Sequence, residues 1–205
     1  MRSLLGFLFA VVLVMMWSIT LSAQTSPIDG IDARADTNQL AKQLGSADPL
    51  LRQRSAEALA KLAATDQRKI VEGYHIQEKN KDVRLALEWA LYRMGRTEML
   101  YEMVAQLDSG RQKQAIGYLS EVDTPEVLYP FLKRQTNPPR VTAGLLRALA
   151  RVGNAESLDL IKPYRESIQP FVAEAAEIAH DEIEKRVNES ADSTTRVRPR
   201  TVAKP

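Results

Sequence analysis

An all-α fold is predicted for this chain: an α-solenoid of about five stacked antiparallel helix pairs. Two observations carry that prediction. Residues 51–62 (LRQRSAEALAKL) place Leu51, Ser55, Ala58, Leu59 and Leu62 at the steps of one helical face. The same frame returns as Val83, Leu87, Ala90, Leu91 and Met94, as Val141, Leu145, Ala148, Leu149 and Val152, and as Val172, Ala176, Ala179, His180 and Ile183. A degenerate copy reads Arg111, Ala115, Tyr118, Leu119 and Val122, so successive copies are spaced by 32, 28, 30 and 31 residues. Spacing in that range marks stacked helical repeats, because one helix pair cannot bury its apolar stripe alone and must share it with its neighbours.

The N-terminal residues read as an export signal (1–23). Arg2 supplies the basic start, residues 4–17 the apolar stretch, and Leu21-Ser22-Ala23 the small-residue end. The alternative is an uncleaved membrane anchor over residues 4–21, close to spanning length. Residues 24–35 read as a linker with Pro27 and Gly30. Asp36 or Thr37 is placed to cap a first helix burying Leu40 and Leu44, which Gly45 to Asp48 end, with Pro49 in the first turn of the next.

Asp66 opens a second pair with Ile70, Val71 and Tyr74 on its apolar side, and Asn80-Lys81-Asp82 turn the chain into a helix that Gly95 closes. Thr97 caps the third pair through Leu100, Val104 and Leu107, before the turn Asp108-Ser109-Gly110. Thr124-Pro125-Glu126 is a helix start, with Leu128, Phe131 and Leu132 inward and Asn137-Pro138-Pro139 as the stop. Gly153 closes the following helix, and Asn154 caps the fifth pair through Leu158, Ile161 and Tyr164. Pro130 and Pro163 lie inside first helices and should kink or shorten them by removing a backbone donor. The repeat domain thus covers residues 36–187. Residues 188–205 are polar and read as a disordered tail whose Arg196, Arg198, Arg200 and Lys204 are either solvated or a weak anchor to an anionic surface.

Asp48-Pro49-Leu50-Leu51-Arg52 with Ala56, Ala58-Leu59 and Leu62, and Asp82-Val83-Arg84 with Ala90-Leu91 and Met94-Gly95, resemble the second-helix signature of HEAT repeats. That resemblance to the armadillo-like helical proteins implies a right-handed superhelix with the second helices lining its inner surface. It also implies a protein-binding scaffold without a shared catalytic residue set. A minority of similar arrays, the bilin-lyase type and certain DNA glycosylases among them, are associated with chemistry.

The composition excludes several classes. Lys and Arg number 28 against 26 Asp and Glu, and without residues 1–23 the balance is 27 against 26, a net +1. No nucleic-acid partner is called for by that balance. Cysteine is absent and only His75 and His180 carry imidazoles, so thiolate and imidazole-rich metal sites are excluded, and no metal or cofactor is expected. Neither a phosphate loop nor a serine elbow is present, and no catalytic residue is assigned. Arg52 and Arg84 are expected to bond turn carbonyls or Asp48 and Asp82.

Opposite the core stripe, at about 100° per residue, the first repeat carries Gln53, Glu57 and Ala60, while the second carries Leu85, Trp89 and Tyr92. If this is the inner wall, those three form a partner-binding hot spot rimmed by Lys113 and Arg147. The competing reading is that helix packing buries them as core. The expectation for function is an exported, non-catalytic protein-binding scaffold, periplasmic or secreted. The alternative is an accessory subunit or lyase-like enzyme holding a small ligand in the groove.

Overall fold

The computed structural model describes residues 29–195, with side chains over 36–190. The export signal or anchor and the first part of the linker lie outside them, as do residues 196–205. The described residues are all-helical, without strands: α1 (Asp29–Gln43), α2 (Pro49–Lys61), α3 (Arg68–Gln77), α4 (Lys81–Arg93), α5 (Met99–Ala105), α6 (Gln112–Leu119), α7 (Tyr129–Leu132), α8 (Pro139–Val152), α9 (Ala155–Ile161) and α10 (Pro170–Thr195). Among them no helix is long and apolar enough to cross a membrane.

Most boundaries follow from local chemistry. Asp48 accepts the Leu50 amide at 2.9 Å ahead of Pro49. Asn80 accepts those of Asp82 and Val83 at 2.9 and 3.2 Å. Asn154 and Ser157 form a reciprocal capping box on α9. At the end of α4, Gly95 adopts φ +97°, and the Gly95 and Arg96 amides donate to the carbonyls of Tyr92 and Leu91 at 2.9 Å each. That is a Schellman cap, which needs a left-handed residue. α2 closes the same way through Ala63 at φ +45°, with the Ala64 amide on the Leu59 carbonyl. Gly153 differs: its φ is −59°, and its role is close approach, since a Cβ there would sit 2.4 Å from Ile183 Cδ1 and 2.6 Å from the Leu149 carbonyl oxygen.

The structure corrects several expected boundaries. α1 begins at Asp29, inside the expected linker, and so needs no cap from Asp36 or Thr37. Beyond Pro27 the stretch holds no helix breaker but Gly30, whose cost is only about 1 kcal/mol. α10 runs on to Thr195 through the start of the expected disordered tail. Extending an established helix adds a bond for each residue fixed and needs no apolar surface. The two first helices containing proline are indeed short. Pro130 sits in a four-residue α7 preceded by a 3₁₀ turn, and α9 passes at Lys162–Pro163 into a 3₁₀ turn. Thr124 precedes its turn without its hydroxyl capping it, and α5 starts past Thr97 at Met99.

The repeated stripe becomes the core. Val83, Leu87, Ala90, Leu91 and Met94, then Val141, Leu145, Ala148 and Leu149, then Val172, Ala176, Ala179 and Ile183 are all buried. In α2 the buried side is instead Ser55, Ala56, Leu59 and Ala60, while Leu51 is exposed and Leu62 is 55% exposed. Leu51 lies in the first turn of α2 and Leu62 just past its last residue, while the helix between them turns Ala56 and Ala60 inward.

Packing follows chain order: α2 on α4, α4 on α6, α6 on α8 and α8 on α10, with α1 on α2, α3 and α5 on α4, and α9 on α10. Polar ties join consecutive units in the same order. Arg52 forks onto Glu78 at 2.8 and 2.9 Å, Arg93 meets Asp123, and Arg140 reaches the Ser109 carbonyl at 3.2 Å. The Tyr164 hydroxyl donates to the Leu132 carbonyl at 2.6 Å. Arg186 caps α8 through the carbonyls of Ala150, Arg151 and Gly153 at 2.8 to 3.1 Å. α4 is the most enclosed element, with every residue from Leu85 to Tyr92 buried.

Candidate partner-binding face

The wall opposite the core stripe is built by α2, α4 and α6, and its centre is closed by the protein's own side chains. Leu85, Trp89 and Tyr92 are 1%, 2% and 9% exposed. The Trp89 ring stacks on Tyr92 (centroids 5.8 Å apart) and on Tyr118 from α6 (5.7 Å, planes 3° apart). The Arg93 guanidinium stands 5.5 Å from the Trp89 centroid. Above this stack the Tyr118 hydroxyl donates to Glu57 Oε1 at 2.6 Å and accepts from Gln114 at 2.9 Å, while Gln53 also donates to Glu57. Burial, then the Glu57 carboxylate, push the Tyr118 phenol well above its ordinary range, so it stays a donor.

The hot spot expected at Leu85, Trp89 and Tyr92 is therefore corrected to core. The physical reason is Tyr118. It stands in the degenerate copy at the frame position where the others carry Ala58, Ala90, Ala148 and Ala179, yet it supplies the second face of the sandwich. It also reaches past α4 to Glu57 on α2, a bond that joins the third helix pair to the first. The missing signal was present in the sequence as three aromatic rings at or beside the positions opposite the core stripe in neighbouring copies, which stacking would pair.

The other two expected site residues fall differently. Lys113 on α6 and Arg147 on α8 are exposed, and neither makes a hydrogen bond or ion pair with the described residues. Their helices pack side by side. Gly117, also on the wall, has open space where a Cβ would stand. Ile178 and Asp181 are exposed at the corresponding positions of α10.

Arg52 behaves as expected toward its turn, donating to the Ser46 and Ala47 carbonyls at 2.9 and 3.2 Å, but its main partner is Glu78. Arg84 does not bond Asp82; it lies 3.7 Å from Glu88 Oε1, and Asp82 receives Arg111 at 3.8 Å. His75 Nε2 approaches the same Glu88 oxygen at 3.4 Å. His180, Asp181 and Glu184 bring possible metal-ligand atoms within 4.8 Å of one another along one helix, with both carboxylates exposed.

Sequence reasoning missed a cleft of about 220 Å³ lined by Lys81, Arg84, Glu88, Glu102, Gln106 and Arg111. The Glu88 side chain is 5% exposed, and its Oε2 is buried with no hydrogen-bond partner among the described residues. A buried acceptor left so costs about 1–3 kcal/mol, more when charged. Lys81, Arg84 and Glu88 share one face of α4, but nothing in the sequence relates that face to Glu102, Gln106 and Arg111, which the packing of α5 and two turns brings against it.

No family model matches the chain, and no curated protein does. Among solved structures the chain is similar to an engineered protein from the Northeast Structural Genomics Consortium, at 19% identity over 79% of this chain and 86% of that one. The TM-score is 0.37, too low to carry an argument about fold or function.

Proposed function

We propose that this protein is a non-catalytic scaffold, a HEAT-like superhelix of helix pairs that binds a protein partner on the wall built by its second helices. The chain-order packing supports the solenoid reading, since an array of pairs needs contacts only between neighbours. The observation that carries the binding reading is the pair Lys113 and Arg147, two exposed and unpaired cations at different wall positions of the adjacent helices α6 and α8. With the aromatic cluster internal, the stretch of wall on α6 and α8 offers Lys113 and Arg147 as free cations, suited to an acidic stretch of a partner. The pattern of residues 1–23 supports action in the periplasm or outside the cell.

Placing a photo-crosslinking amino acid at Arg147, and as a control at Glu166 on the exposed turn before α10, tests this in the native compartment. The proposal expects one partner captured from position 147 and none from 166, with capture lost on Lys113→Glu at an unchanged melting temperature. Equal capture from both positions, or capture indifferent to Lys113, would overturn it. The second reading, a small-ligand protein, is favoured by the 220 Å³ cleft.

A further inference from the structure

The cleft between the first turns of α4, the body of α5 and the turn into α6 holds charges of two kinds, engaged and unengaged. Arg111 donates to Gln106 Oε1 at 3.2 Å and stands 3.8 Å from Asp82. Arg84 and His75 both face Glu88 Oε1, at 3.7 and 3.4 Å. Three polar groups are left over. Lys81 and Glu102 are exposed, line the same cleft, and pair neither with each other nor with any other described residue. The third is the buried Oε2 of Glu88. One positive and one negative pole therefore share a small space without neutralising one another.

The pattern selects a ligand class by elimination. A simple anion would meet Lys81 and Arg84 but also the carboxylates of Glu88 and Glu102. A simple cation would meet those carboxylates but also three basic side chains. A molecule carrying both charges on one carbon satisfies both poles. The volume agrees, because about 220 Å³ lies below the usual range of sites for drug-sized ligands. We propose that this cleft binds a free α-amino acid, its carboxylate held by Lys81 and Arg84 and its ammonium by Glu102 beside the Glu88 carboxylate. The site does not rest on the protein-binding reading, and neither Lys113 nor Arg147 lies in its wall.

Titrating the full chain with glycine, acetate and methylammonium, followed by amide chemical shifts, tests the proposal. Glycine should bind saturably, and each half-ligand about tenfold more weakly, the loss expected for one charge-assisted hydrogen bond. Lys81→Gln should weaken glycine and acetate about tenfold while leaving methylammonium unchanged, and Glu102→Gln should do the reverse. Both side chains are exposed, so the fold should tolerate either change, and matching melting temperatures verify it. Glycine binding no tighter than its halves, insensitivity to both substitutions, or no saturable shift up to about 100 mM, which is weaker than specific recognition gives, would overturn the assignment.

Discussion

Trp89→Ala removes the buried ring stacked between Tyr92 of α4 and Tyr118 of α6, and it should damage stability above all. Truncating a buried aromatic to alanine costs about 3–5 kcal/mol. The upper part of that range applies here for a structural reason. Trp89 is stacked on both Tyr92 and Tyr118, and each such pair is worth about 0.5–1.5 kcal/mol beyond its buried area. The Arg93 guanidinium loses its aromatic face as well. Against a total stability of about 5–15 kcal/mol, a loss of about 4–5 kcal/mol lowers the melting temperature by roughly 10–15 °C. Urea unfolding followed by far-ultraviolet circular dichroism measures it as a lower midpoint at unchanged slope. Tyr118→Phe is the control: it keeps the ring and removes only the hydroxyl on Glu57, so it should cost about 1 kcal/mol. A Trp89→Ala loss below about 1 kcal/mol, or one no larger than that of Tyr118→Phe, would refute the enclosed-stack reasoning.

Three further outcomes follow from particular residues. Ala63→Gly should stabilise the protein, because the left-handed strain of about 1–2 kcal/mol exceeds the roughly 0.4–1 kcal/mol that glycine adds to the unfolded chain's freedom; a lowered melting temperature would contradict this. Gly153→Ala should cost about 1–3 kcal/mol in the same melts, since Ile183 can turn aside but the Leu149 carbonyl cannot. Glu78 is held below the usual carboxylate range, first by its hydrogen bond from Arg52. Its contribution is therefore complete above the unfolded value near pH ~4.3 and is lost as pH falls through the lower folded value. Acid should thus destabilise the wild type more steeply than Arg52→Gln, and parallel pH profiles would count against the pair.

Much of the core was legible because a helical stripe needs only composition and spacing. Val83 to Met94 and Val141 to Leu149 are buried as their period demands, and Gly95 and Asn154 punctuate the chain as their chemistry requires. What escaped depends on which side chain of one helix lands on another. The burial of Trp89 turned on Tyr118, a ring 29 positions away that spacing alone marked as a misfit. The orphaned oxygen of Glu88 became visible only once α4, α5 and the turn into α6 were set beside one another. The extra turns of α1 and α10 were missed for another reason, since polar sequence lacks a packing signal yet still prolongs an existing helix.

The claim on which the scaffold reading depends is that the helix pairs form an array in which each unit leans on its neighbours. Native-state hydrogen exchange at rising denaturant tests it most directly. An array with α4 enclosed at its heart should open from its ends, with α1 and α9–α10 exchanging through partial openings well below the energy needed to expose α4. Amides of α1, α4 and α10 all exchanging through one global opening would instead describe a single interlocked core, and would contradict the account.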